Sequence, residues 1–314
     1  MKNSLIGIGE SIHASIPKTG KVMKELWGLG EGAYSKPSDQ LNYIKALIES
    51  QADDGADFIA INVDAFGEEN VSLSVTQMVE YVKLVRKWGK GVPVCVDSSD
   101  DNVLRAGLKE WYDTDEEVAR PLVNSIKIYT MDEMFPLKKE YDFAFVGLLV
   151  GEEKSGQMQS ADELYLMAEK IFDKAMEFGF KPEEIYFDST VFPLSIDMPM
   201  QSGVASYTYR AFETIKKIKT SKKMKDVHFS MGVSNSVRDL PARKIGVCRA
   251  YVAKAMEYGL DAGIVNVAHH YGEVEADPGL LELVDAFAKN DGSAEKSNAA
   301  MMLMSQFCQE NRKS

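Results

Sequence analysis

The chain has 314 residues, of which 45% are hydrophobic and 27% charged, the balance of a folded soluble protein with enough length for a full α/β core. With 36 Lys and Arg against 48 Asp and Glu the formal net charge is -12, which disfavours nucleic acid and other polyanions, because phosphate binding rests on concentrated cationic side chains. No apolar run reaches the roughly 18 residues of a bilayer span, and MKNSLIGIGES lacks the long apolar region and cleavage site of a secretion signal, so the expectation is a cytoplasmic, non-membrane protein. Cys95, Cys248 and Cys308 stand apart with no CxxC pairing, which fits a reducing compartment.

In chain order, the apolar, β-rich runs are SLIGIG (4–9), FIAINV (58–63), PVCVD (93–97) and PLVNS (121–125). FAFVGLLV (143–150), EIYFD (184–188), VHFSM (227–231) and AGIVNV (262–267) complete the set. Between them lie segments with helical spacing, DQLNYIKALIESQADDG, VTQMVEYVKLVRKWG, DELYLMAEKIFDKAMEFG and CRAYVAKAMEYG, each ending in the glycine that a helix terminus prefers. Strands this short and this continuously apolar are parallel strands buried on both faces. Eight such units predict a single α/β domain, a (β/α)8 TIM barrel, over residues 1–289. A doubly wound open sheet fits less well, since GIGESIHASIPK is not GxGxxG and opens no immediate helix. NDGSAEKSN and AAMMLMSQFCQ predict a linker and a short C-terminal helical extension over 290–314, the helix covering apolar surface at a subunit contact.

The carboxyl ends of a barrel's strands build its site. Here those ends carry Glu10, Asn62 with Asp64, Asp97, Asn124, Asp188, Asn235, and His269 with His270. Taken singly, each is as well explained as a helix cap or a turn former. As a set they are different, because a barrel closes its strand ends around one axis. Carboxylates only accept hydrogen bonds and amides both donate and accept, so two Asp and two Asn suit a flat heterocycle such as a 2-amino-4-oxo pyrimidine edge. A phosphate ligand would ask for a glycine-rich nest, and no GxxxxGK occurs.

From about residue 4 to about residue 285 the chain resembles the methyltetrahydrofolate:corrinoid protein methyltransferases, pterin-binding TIM barrels related to dihydropteroate synthase and to the folate domain of methionine synthase. GLLVGEEKSG, EEIYFDSTVFPLS and GVSNSVRDLPAR, followed by a helix and GLDAGIVNV, carry the resemblance. It implies that Asp97, Asn124 and Asp188 grip the pterin, that Asn235 reaches N5 of the folate, that Gly232 lets the ring lie close and that Arg243 meets the folate beyond the ring. Asn235 and Asp188 are the implied catalytic pair. GIGESI is similar to the family's GER opening, but Ser11 stands in place of the arginine and leaves Glu10 without an inherited role. SIDMPMQSGVASY departs from the family pattern.

The implied activity moves a methyl group between N5 of tetrahydrofolate and the cobalt of a corrinoid, in either direction, with transfer from methylcorrinoid to tetrahydrofolate placed first. Tetrahydrofolate or 5-methyltetrahydrofolate is then a substrate. The corrinoid (cobalamin) comes on a partner protein, because the chain has no DxHxxG element and too few residues after the barrel for a cobalamin module. No metal is expected on this chain, since His13 and His228 are dispersed and His269 with His270 lacks a third ligand nearby. The family also implies a homodimer. Two other readings stand beside this one. A dihydropteroate synthase-like enzyme would bind the same ring, but its NxTPDSF-like first loop and RxH-like last strand are absent. A non-catalytic folate-binding module would keep the pocket and lose turnover.

Overall fold

A computed structural model describes residues 5–67, 70–151, 159–197 and 203–312. Its eight strands are β1 (Ile6–His13), β2 (Phe58–Asn62), β3 (Val94–Asp97), β4 (Leu122–Lys127), β5 (Ala144–Leu148), β6 (Ile185–Asp188), β7 (His228–Phe229) and β8 (Ala262–Val265). All neighbouring strands run parallel, in the order β7-β6-β5-β4-β3-β2-β1-β8. The ring closes between β7 and β8, where the Ile264 N–H donates to the Met231 carbonyl at 2.9 Å beside a parallel bridge from Gly232 to Ile264. This is the expected (β/α)8 barrel.

The barrel lumen is filled by small and branched side chains, Ile8, Ala60, Cys95, Leu122, Ala144, Val146 and Ala262, with Tyr186. A second apolar shell packs the outer face of the sheet against the helices. These are α1 (Pro17–Gly28), α2 (Asp39–Asp53), α3 (Val71–Trp88), α4 (Asp101–Tyr112), α5 (Met131–Met134), α6 (Ala161–Glu177), α7 (Tyr207–Thr220), α8 (Lys244–Tyr258), α9 (Pro278–Ala288) and α10 (Ala294–Glu310). Polar caps start many of them: Ser38, Asn70, Asp100, Ser206 and Asp277 accept from backbone N–H groups of the first turn, and Ser160 with Glu163 forms a reciprocal capping box. Helix α10 packs on α9 and buries Ala300, Met304 and Phe307, while Met301 and Met302 stay exposed. Among the described residues no helix is long and apolar enough to cross a membrane.

Two of the strands that depart from their apolar runs, β1 and β7, do so at the cavity. Strand β1 runs past SLIGIG to His13 through an irregularity in register between Gly9 and Ile12. The cause is Gln51 of α2, whose Oε1 accepts from the Ser11 N–H at 3.0 Å and occupies the space above Gly9. A bulge of this kind re-aims the side chain it carries, here Glu10. Strand β7 pairs over only two residues of VHFSM, because the chain turns at Gly232 into a 3-10 turn, Val233–Val237. Parts of GLLVGEEKSG and SIDMPMQSGVASY lie outside the described residues.

Candidate active site

A cavity of about 600 Å³ opens at the carboxyl ends of the strands. Its floor is apolar, from Ala60, Leu148 and Ile264, and its walls are polar, from Glu10 on β1, Asn62 and Asp64 at β2, Asp97 on β3, Asn124 and Lys127 on β4, and Asp188 on β6. Gly232, Ser234, Asn235 and Arg238 line it from the segment after β7. Asp97, Asn124, Asp188, Gly232 and Asn235, which sequence alone nominates, therefore share one space.

Their hydrogen bonds show what each has left to offer. Asn124 Nδ2 donates to Asp97 Oδ1 at 3.0 Å, and Asn62 also bonds the Asp97 carboxylate. With its amide nitrogen committed to Asp97, Asn124 keeps its carbonyl for a donor in the cavity. Asp188, 6% exposed, accepts from the Thr190 N–H at 2.6 Å through one oxygen, and its other oxygen has no partner among the described residues. Asp64 is consumed differently: it accepts from the Ser98 hydroxyl and from the Ser99 N–H and hydroxyl, both at 2.8 Å, and ties the end of β2 to the end of β3.

Burial pushes Asp97 up to about 7, a rise reinforced by the charges of Asp64 and Asp188 and opposed by the Asn62 and Asn124 amides. Asp188 also rises to about 7 through burial, against the Thr190 N–H. Glu10 does the same, against bonds from Ser234 and the Asn266 backbone. Burial pushes His13 the other way, below the ordinary histidine value, against the Asp64 charge. Burial is the largest cause for all three carboxyls, and carboxyls raised together in one cavity are a common signature of a functional site.

The SNS triplet resolves into separate jobs. Ser236 is buried and donates back to the Val233 carbonyl at 2.8 Å, closing the turn. Ser234 donates to Glu10 Oε2 at 3.0 Å. Asn235 uses only its backbone in the turn, with its N–H on the Gly232 carbonyl and its own carbonyl accepting from Arg238, both at 3.2 Å. Its side-chain amide lines the cavity with no partner among the described residues. Gly232 has an ordinary φ of -77°, and a Cβ there would meet only Asn235 Nδ2, at 3.5 Å. Neither backbone nor packing demands the glycine, and its missing side chain leaves space on the cavity side.

Arg243 is not brought in. It caps α8 with φ 54°, its guanidinium pairs with Asp277 at 2.8 Å, and it does not line the cavity; Arg238, five residues earlier in the same segment, does. The two histidines after β8 also stand outside the lining, His269 bonded to the Tyr271 hydroxyl at 2.8 Å and His270 exposed beside Glu273. Sequence alone passes over Lys127, whose Nζ donates to the Ser99 carbonyl at 3.2 Å. It lies two residues beyond the end of the apolar run PLVNS, where β4 continues through Ile126.

A family model described as "Pterin binding enzyme" matches residues 34–266, well over half of the chain. The chain belongs to the pterin-binding enzyme family. Solved structures give this pterin-binding enzyme the same fold. A dihydropteroate synthase from Coxiella burnetii in complex with pteroic acid is similar at a TM-score of 0.53 and 11% identity, covering 91% of this chain and 93% of that one. A dihydropteroate synthase from Stenotrophomonas maltophilia with imidazole bound in its active site is similar at a TM-score of 0.50 and 15% identity, covering 73% of this chain and 84% of that one.

Proposed function

We propose that this pterin-binding enzyme is a methyltransferase that moves a methyl group between N5 of a tetrahydrofolate and the cobalt of a corrinoid carried by a partner protein. The observation that carries the reading is the unengaged Asn235 amide, held in the same cavity as the Asp97–Asn124 pair and Asp188. Asp97 and Asp188 would take the N–H donors of the 2-amino-4-oxo edge, with the free Asn124 carbonyl beside them.

Methyl transfer of this kind is an in-line displacement at carbon. Toward cobalt, the tertiary amine leaves only if N5 is protonated or hydrogen-bonded as charge develops on it. Toward N5, that nitrogen must be unprotonated at its lone pair and must lose its own proton. Asn235 serves both directions, because an amide that makes no other bond rotates to present either N–H or C=O. A carboxylate in its place would only accept.

The fold neighbours favour a second reading, a dihydropteroate synthase-like enzyme. The charge of the cavity speaks for methyl transfer: Glu10, Asp64, Asp97 and Asp188 surround a space with only Lys127 and Arg238 as its lysine and arginine among the described residues, a poor seat for a pyrophosphate leaving group. Mixing the protein with tetrahydrofolate and a methylated corrinoid, free or protein-bound, tests the proposal directly. Loss of the methyl-cobalt absorption with appearance of 5-methyltetrahydrofolate is the expected result. Tight folate binding without any such change, or formation of dihydropteroate from a dihydropterin pyrophosphate and p-aminobenzoate, would overturn it.

A further inference from the structure

Glu10 links two strand ends. It belongs to β1, and its Oε2 accepts from Ser234 after β7 at 3.0 Å, across the end of β8. These ends flank the seam where the barrel closes, and that seam is thinly paired. Strands β1 and β8 pair over four residues, whereas β7 and β8 meet through the Ile264 to Met231 bond, a longer one from the Asp261 N–H to the Phe229 carbonyl at 3.4 Å, and the Asp261 carboxylate, which accepts from the Phe229 N–H at 2.8 Å and bonds His228 at 3.0 Å. The turn that presents Asn235 leaves the sheet at this seam.

The aim of Glu10 is itself built. The β1 irregularity falls at Glu10 and Ser11, and Gln51, 2% exposed on α2, supports it by accepting from the Ser11 N–H. Gly9 leaves room for that support, since a Cβ would lie 2.4 Å from Gln51 Oε1. A buried amide, a glycine and a bulge thus serve to turn one carboxylate toward a hydroxyl 224 residues away in the chain. A barrel whose strands only needed to pair would not require them.

We infer that Glu10 is a positioning residue for Asn235: it straps the turn after β7 to the end of β1 and fixes the direction from which the Asn235 amide enters the cavity. The inference rests on the reading that Asn235 meets the reacting nitrogen, and it extends that reading to a residue with no inherited role. Ser234 transmits the restraint, so its hydroxyl and the Glu10 carboxylate act as one unit. A misplacement of about 1 Å in a group that must meet one atom costs on the order of 100-fold in rate, which sets the size of the effect.

Two measurements on the full chain separate this inference from the proposed reaction. Without any ligand, Glu10→Ala and Ser234→Ala should each speed hydrogen exchange at residues 233–237 by roughly 10-fold while β2 to β5 stay protected. With tetrahydrofolate and a methylated corrinoid, Glu10→Ala should lower kcat about 10- to 100-fold with KM for tetrahydrofolate changed less than about 3-fold. Glu10→Gln, whose carbonyl still accepts from Ser234, should recover most of the rate. In an Asn235→Ala background, Glu10→Ala should cost less than about 2-fold, because the residue it positions is gone. An undiminished kcat in Glu10→Ala, or an equal loss with and without Asn235, would overturn the inference. If the unaltered protein transfers no methyl group, the proposed reaction fails, and the exchange result still decides whether Glu10 holds the turn.

Discussion

In the proposed reaction Asn235 is the side chain that meets N5, and its environment suits an amide in that role. A turn that needed asparagine for its own sake would consume the side chain in an Asx bond. This turn instead closes through Ser236 and through backbone groups, leaving the amide over. Asn235→Ala should therefore leave the fold intact, change folate affinity less than about 5-fold and slow methyl transfer by about 100-fold or more, as loss of one transition-state hydrogen bond does. Steady-state kinetics beside calorimetric folate titration checks it, and a rate within a few fold of the parent removes Asn235 from N5. Asp188 makes a prediction of opposite sign for stability and binding. Its folded value, about 7, lies above the ordinary carboxylate value of the unfolded chain. The folded state thus binds more protons between those values, and stability from this group falls as pH rises through that window. Asp97 and Glu10 add to the same slope. Asp188→Asn should raise the melting temperature at pH 8 by about 2 °C or more, flatten the loss between pH 5 and pH 8, and weaken pterin binding. Strand-end carboxylates and amides were legible from sequence because the barrel fixes where strand ends point. Arg243 was not, because its pairing with Asp277 depends on how the segment after β7 folds back, and no local pattern encodes that.

Strands and helices were legible to the extent that burial on both faces writes a continuous apolar run. Strands β2, β3 and β6 match their runs to within a residue, and their ends deliver Asn62, Asp97 and Asp188. Strand β1 escapes because its second half, GESIH, is polar where it meets the cavity, and a run-based reading stops at Gly9. The bulge depends on Gln51, 40 residues from the Ser11 N–H it accepts. Gly9→Ala tests this element directly. The added methyl would meet Gln51 Oε1 at 2.4 Å, so either Gln51 withdraws or β1 shifts. We expect a destabilisation of about 1–3 kcal/mol by denaturant unfolding, the usual cost of overpacking. Methyl transfer should fall in parallel, because the strand that aims Glu10 is the one displaced. Unchanged stability and rate together would mean that Gln51 gives way freely and that the bulge has no part in the site.

At the scale of the whole molecule, the cavity spans the joint between β7 and β8, where strand pairing is reduced to one bridge. Asp97, Asn124 and Asp188 stand on strands with paired neighbours on both sides, while Asn235 and Gly232 hang from the β7 side of the closing seam. A ring held by both groups bridges that seam. Ligand binding lowers the population of every opening that breaks the site and leaves untouched those that do not. Tetrahydrofolate at 100 times its dissociation constant should add about 2.7 kcal/mol to global stability, by mass action alone. The distribution of that gain is the stronger test. Amides of Phe229 to Val237 and of Ala262 to Asn266 should gain nearly the full protection, since opening the seam separates Asn235 from the pterin grip. Fraying of α10, which packs on α9 away from the cavity, should not change. Hydrogen exchange with and without tetrahydrofolate reads both. Equal protection throughout the barrel would mean that it opens only as one unit, and protection confined to β3, β4 and β6 would mean that the ligand never reaches the turn that carries Asn235.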